Sequence, residues 1–271
     1  MAIKIGTTDI GKVYVGTTEI TKIYKGTELI YSASPTPQPI LSNKIYGHTR
    51  SASSTITLKV NGTSYNVTSD SNKYFELDCS GITITSLNQC AYSQSGLADI
   101  TFDIDTSDCT NFANLVRGCA YVTSIDCSKL DTSKATGSGF HSLFYGSKAA
   151  TSIILPASGL QHATNMTSLQ FFFLDCQAIT SLDLRSLGDC DNVVSINGMF
   201  RRCYSLETID LSGVYFDANN TTSENVFGDC DALTSIKVAG CDASVVTFLL
   251  AHLTSSGLSF MQSGDYLLKQ S

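Results

Sequence analysis

Charged side chains are scarce: they make up 15% of the 271 residues, well below the usual quarter. The 17 Lys and Arg form no run long enough to make a basic stripe, and the net charge is −7, so an electrostatic grip on a phosphate backbone is excluded. Nucleic acid is not an expected partner. No apolar run approaches about 18 residues, so no membrane-spanning helix is expected. The opening residues Met1-Ala2-Ile3-Lys4-Ile5-Gly6 alternate like a strand and lack the basic and apolar regions of a secretion signal. None of the ten cysteines forms a Cys-x-x-Cys pair or keeps ligand spacing with a histidine, so a zinc site has no support. Without a signal they are expected to be reduced, buried thiols rather than disulfides.

What is present is enough apolar sequence, 42%, to build a real core, with a polar share carried by Ser, Thr and Asn. That composition favours β-rich architecture. A ten-residue repeat opens the chain, with Gly6, Gly16 and Gly26 in register and apolar pairs such as Ile3/Ile5 and Val13/Val15 before the glycine. Each unit reads as strand, turn, strand. Residues 1–34 are thus a β-repeat strip too small to fold unaided, which is expected to attach to a partner or to oligomerise, with a trimer the first choice among symmetric forms. Ser34-Pro35-Thr36-Pro37-Gln38-Pro39 marks a Pro-rich linker over 35–42.

Residues 43–85 read as a small β subdomain or solenoid cap. Thr55 to Val60 alternate with period two, Asn61-Gly62 is a hairpin signal, Tyr65 and Val67 begin a return strand, and Tyr74, Phe75 and Leu77 supply another. Residues 86–271 then repeat. Cys90, Cys119, Ser147, Cys176, Cys203 and Cys230 recur at 27 to 29 residues, each preceded by three positions by Leu87, Val116, Phe144, Phe173, Phe200 and Phe227. After the anchor comes the strand frame L-x-x-L-x-L, as in Leu206/Ile209/Leu211. The first unit carries it as Leu97/Ile100/Phe102, displaced by four, which implies a loop insertion after Cys90. The expected fold is a leucine-rich-repeat solenoid, a parallel β ribbon with helical or irregular return segments. Its outward columns should read Thr101, Asp126, Ile154, Asp183, Asp210, Lys237 and Asp99, Ser124, Ser152, Ser181, Thr208, Ser235.

Met199-Phe200-Arg201-Arg202-Cys203-Tyr204-Ser205-Leu206-Glu207-Thr208-Ile209-Asp210-Leu211-Ser212 resembles the leucine-rich repeats of BspA-type surface proteins, a likeness that runs over roughly 86 to 260. It implies a solenoid used for adhesion by bacteria and protists of mucosal and gut communities. Ser147, Ala150 and Cys127 depart from that pattern. Val13-Tyr14-Val15-Gly16-Thr17-Thr18-Glu19-Ile20 and Ile23-Tyr24-Lys25-Gly26-Thr27 resemble short repeats at the ends of tailed-bacteriophage virion proteins. Together the two resemblances imply a virion component of a phage of gut bacteria. Its partners would be other virion proteins through the strip and a host surface protein or glycan through the solenoid. The alternatives are a bacterial cell-surface adhesin and a purely structural capsid or tail decoration.

The candidate binding surface is the outward column with Asp126, Asp183, Asp210 and Lys237, whose carboxylates could hold a cation or a basic partner or simply bond locally. No exposed aromatic stands in these columns, which weakens a glycan ligand. Asp103 to Asp108 spaces carboxylates somewhat like a calcium loop but lacks the Gly and closing Glu, so a solvated turn is expected. His48, His141, His162 and His252 are scattered and read as surface or loop residues, so neither a catalytic triad nor a cofactor site is expected. Asn61-Gly62-Thr63, Asn66-Val67-Thr68 and Asn165-Met166-Thr167 match the glycosylation acceptor, and without a secretory route they should stay unmodified.

Overall fold

A computed structural model describes residues 41–156, 165–217 and 221–270, together with the backbone of six short strands between Lys4 and Ser32. The chain divides into two units, residues 1–40 and 41–271. In the first, each decad folds back on itself as an antiparallel pair: β1 (Lys4–Ile5) with β2 (Thr8–Asp9), β3 (Val13–Val15) with β4 (Thr18–Ile20), and β5 (Lys22–Lys25) with β6 (Glu28–Ser32). Residues 35–40 of the Pro-rich linker and His162 lie outside the described residues.

The second unit is a β-solenoid. It opens with β7 (Lys44–Thr49), β8 (Thr55–Val60), β9 (Thr63–Thr68) and β10 (Tyr74–Asp78). Val60 pairs with Thr63 across a two-residue loop in which Asn61 and Gly62 both take positive φ, 52° and 79°, the turn this dipeptide favours. The solenoid strands follow: β11 (Leu97–Asp103), β12 (Ser124–Asp126), β13 (Thr136–Gly137), β14 (Ser152–Ile154), β15 (Asn165–Met166), β16 (Ser181–Asp183), β17 (Asp189–Cys190), β18 (Thr208–Asp210), β19 (Tyr215–Phe216) and β20 (Ser235–Lys237). β11, β12 and β14 pair in parallel, as do β16, β18 and β20. The middle residues Ile125, Leu182, Ile209 and Ile236 are buried while their neighbours face out, as the alternation requires. Within each of these two sets the outward columns stand in the register read from the sequence, and no ladder joins β14 to β16 among the described residues.

The return segments are not helical, and this corrects one of the two expected forms. Each return begins as a ribbon of successive turns that donates every second N–H to the next coil. Val116, for example, bonds Leu143, and Phe200 bonds Val226. The N–H groups between them close i−3 turns, as Arg201 does on Gly198. Two residues in each turn ribbon take positive φ: Gln89 and Ser93, Asn114 and Gly118, Ser142 and Gly146, Phe171 and Asp175, Gly198 and Arg202, Asn225 and Asp229. A left-handed residue at every fourth position interrupts the helical course, which frees every second N–H for the next coil. A helix would have spent those donors within one coil.

Those left-handed positions also correct the first coil. They lie five and one residues before each anchor, so the first anchor is Gln94, not Cys90, and Ala91 rather than Leu87 stands in the aromatic column. Leu97, Ile100 and Phe102 then follow Gln94 at the offsets kept in every other coil, and there is no insertion. Gln94 Oε1 accepts the N–H of Thr57 on β8 (2.9 Å), tying the first coil to its cap.

Both ends are closed. β7 adds antiparallel to β11 and β10 to β7, while β8 donates from Lys59 to Cys90 O and from Asn61 to Ser86 O. At the far end stand α1 (Ala243–Ser255), β21 (Phe260–Ser263) and β22 (Tyr266–Lys269), with β22 antiparallel to β20. Antiparallel strands thus cover the solenoid edges that would otherwise template further pairing. The core runs unbroken between the caps. Phe144, Phe173, Phe200 and Phe227 stack at centroid spacings of 5.6, 6.0 and 5.4 Å.

Candidate functional site

The anchors explain their own residue type. Each lies beside the backbone carbonyl of the coil before it, and its side chain donates there: Cys119 Sγ to Ala91 O (2.7 Å), Ser147 Oγ to Val116 O (3.0 Å), Cys176 Sγ to Phe144 O (3.3 Å), Cys203 Sγ to Phe173 O (3.2 Å) and Cys230 Sγ to Phe200 O (3.0 Å). Ser147, a departure by identity, keeps the function of the position. All ten cysteines are free thiols, nine of them buried. Burial pushes the thiols of Cys79 and Cys109 up to about 11 and those of Cys119, Cys190 and Cys230 up to about 12, and raises Cys90, Cys127, Cys176 and Cys203 well above the usual range. Such thiols are neutral packing groups at physiological pH, without nucleophilic character.

On the outward ribbon face, register places Asp183, Asp210 and Lys237 side by side and leaves Asp126 apart, next to exposed Ile154. Each Asp closes a local turn: Asp126 Oδ1 accepts from Ser128 N (2.8 Å), Asp183 from Arg185 N (3.2 Å) and Asp210 from Ser212 N (2.9 Å). The like-charged pair is neutralised by Arg185, 2.6 Å from Asp183 and 3.8 Å from Asp210, and by Lys237, 3.5 Å from Asp210. The Arg185 guanidinium holds Asp183 below the ordinary carboxylate value. At Asp210 burial pulls the other way, yet the Ser212 bonds and Lys237 outweigh it and its pKa is also lowered. Tyr266 joins this group opposite Lys237. The cluster is a zwitterionic patch, not a naked acidic column.

The sequence columns missed the other end of the same face. Because β7 and β10 extend the ribbon, Tyr46, His48 and Tyr74 stand beside Asp99 and Thr101. His48 Nδ1 lies 3.0 Å from Asp99 Oδ2, and the Tyr46 and Tyr74 rings are 6.3 Å apart. The signal lay in the alternation of β7, but the pairing joins residues about fifty apart and has no local trace.

His48 is exposed as expected, while the surface reading of two other histidines is corrected. His48 has a carboxylate partner, and His141 and His252 are half-buried rather than superficial, with burial lowering the pKa of both. His252 Nε2 sits 2.7 Å from Ser223 Oγ at the end of the solenoid. Ser223 there replaces the core residue that Phe112 and Phe140 supply in earlier coils, and among the described residues no carboxylate orients the ring, so the pair reads as a cap contact. In the calcium-like stretch Asp103 pairs with Lys129 (2.8 Å), Asp108 with Lys134 (2.5 Å), and Asp105 closes a turn on Ser107 N (2.9 Å). Among the described residues no group of three or more His, Cys, Asp or Glu could hold a metal ion.

Compared with protein-family models, with curated proteins and with solved structures, the chain matches none of them.

Proposed function

We propose that this chain is a non-enzymatic virion-associated attachment protein of a tailed bacteriophage, built on a leucine-rich-repeat solenoid of the BspA type. The single observation behind this reading is the pairing of a solenoid capped at both ends with a separate unit of three short hairpins. A doubly capped solenoid needs nothing further to complete its core, whereas hairpins this short are marginal alone and gain stability by joining another chain. In this reading residues 1–34 dock on virion partners or bring three copies together. The ribbon face carrying Asp126, Asp183, Asp210 and Lys237 is offered outward to a host surface protein or glycan.

The test is deletion of Ala2 to Ser34. The solenoid's melting transition should be unchanged, while oligomerisation or incorporation into particles is lost. A truncated protein that unfolds, or that assembles as the full chain does, refutes the modular reading.

A further inference from the structure

The turn ribbon has an outward face of its own. Two positions before each anchor, successive coils carry Tyr92, Arg117, Tyr145, Leu174, Arg201 and Gly228. In the first three coils this column is a cation sandwich, with the Arg117 guanidinium carbon 5.8 Å from the Tyr92 ring centroid and 4.7 Å from that of Tyr145. A second stack lies on the adjoining surface, where Arg50 sits 4.0 Å over the exposed Tyr121 ring. Gly96 occupies the place equivalent to Tyr121 in the preceding coil, and its carbonyl accepts the Arg50 N–H.

Like Lys59, Lys73, Arg201 and Lys269, these two arginines stand outside any ion pair among the described residues. Elsewhere Lys44, Lys129, Lys134, Lys148, Arg185, Arg202 and Lys237 each face a carboxylate. Among the described residues Arg50 and Arg117 face none, although the net charge is −7. Arg117 spends one N–H on Asn114 Oδ1 (3.0 Å) and Arg50 one on Ser95 O (3.5 Å). A guanidinium has five donors in a planar fork, and ring stacking holds that fork fixed with its edge toward solvent. The neighbouring Lys59 is likewise bonded only to a neutral group, Gln89 Oε1 (3.1 Å). A planar cation with free donors, stacked on tyrosine rings of which Tyr92 stays 40% exposed, offers two complementary things: an edge for a carboxylate and, on the ring surface the guanidinium leaves uncovered, an apolar patch for the C–H face of a sugar ring.

We propose that the turn-ribbon face built by Tyr92, Arg117 and Tyr145 binds a carboxylated glycan, the acid group on the arginine edge and the sugar ring on tyrosine. This goes beyond the recognition reading, which uses the strand face, and fails separately from it: particle incorporation tests attachment to the virion, and glycan binding tests this face. Uronic and sialic acids share the chemistry and are distinguished by probe. Titration calorimetry of the full chain would use an oligogalacturonate, sialyllactose, the methyl-esterified oligogalacturonate and poly-L-glutamate. Binding of either acidic sugar is expected, with no response to the ester or the polypeptide. Arg117→Gln and Arg117→Lys should each weaken it at least about tenfold, the lysine because it keeps the charge but loses the planar fork, a difference that fits the strength of charge-assisted pairs. Tyr145→Ala should weaken it similarly, and circular dichroism should show each variant folded. Arg117→Lys keeps stem and charge and remains the decisive variant if the others unfold. Silence toward both acidic sugars, equal binding of poly-L-glutamate or of the ester, or full affinity in Arg117→Lys overturns the proposal.

Discussion

Raising the pH from 7 to 9.5 perturbs this protein at one class of group. Seven thiols, Cys90, Cys119, Cys127, Cys176, Cys190, Cys203 and Cys230, are almost fully buried and held protonated far above their ordinary range. In the unfolded chain each ionises near pH 8.5. The folded pKa is the raised one, so the stability linked to these groups is complete below about 8.5 and is lost as the pH climbs toward the folded values. Each thiol then withdraws about 0.8 kcal/mol at pH 9 and about 1.4 kcal/mol at pH 9.5. Seven together withdraw about 6 and about 10 kcal/mol, against a usual total of about 5 to 15 kcal/mol. The protein should therefore unfold in mild alkali without denaturant. Urea titrations at half-unit pH steps, with a phosphine reductant present, measure the slope directly, and it should grow toward seven protons released per molecule. A stability that changes by less than about 2 kcal/mol between pH 7 and 9 refutes the argument, because it requires thiols that are paired or that ionise as freely folded as unfolded.

Phe200→Ala removes a ring that is 2% exposed and stacked on both neighbours, and should cost about 3 to 5 kcal/mol in chemical denaturation; a loss below about 1 kcal/mol refutes the inward stack. A Cβ at Gly47 would run into the Asp99 carbonyl, so Gly47→Ala should part β7 from β11. Hydrogen exchange would register this as faster exchange across residues 44–49, and unchanged protection there refutes it.

The period of the strands was legible because L-x-x-L-x-L encodes the parity of inward and outward side chains, and both outward columns follow from it. The turn ribbon was not legible, since its left-handed residues include Gln89, Phe171 and Arg202, which carry no compositional signal of that conformation. Gln94 was missed because the anchor was followed by residue identity, although the fixed offsets to Leu97, Ile100 and Phe102 pointed to it. The position asks for a donor or acceptor that reaches an adjacent strand or coil, and Cys, Ser and Gln all supply one. The carboxylates of the candidate surface were legible as a column, but Arg185, which neutralises two of them, stands outside the strand frame.

Because strand and turn ribbon each bond only to their counterparts one coil away, the solenoid's length is an open parameter. Cys176, Cys203 and Cys230 are 27 residues apart, and residues 177–203 contain one full set of donors, acceptors, left-handed sites and stacking ring. A copy of that segment spliced after Cys203 would meet the interface its neighbours already present. Reach can thus be lengthened one layer at a time, while the two capped ends stay as they are.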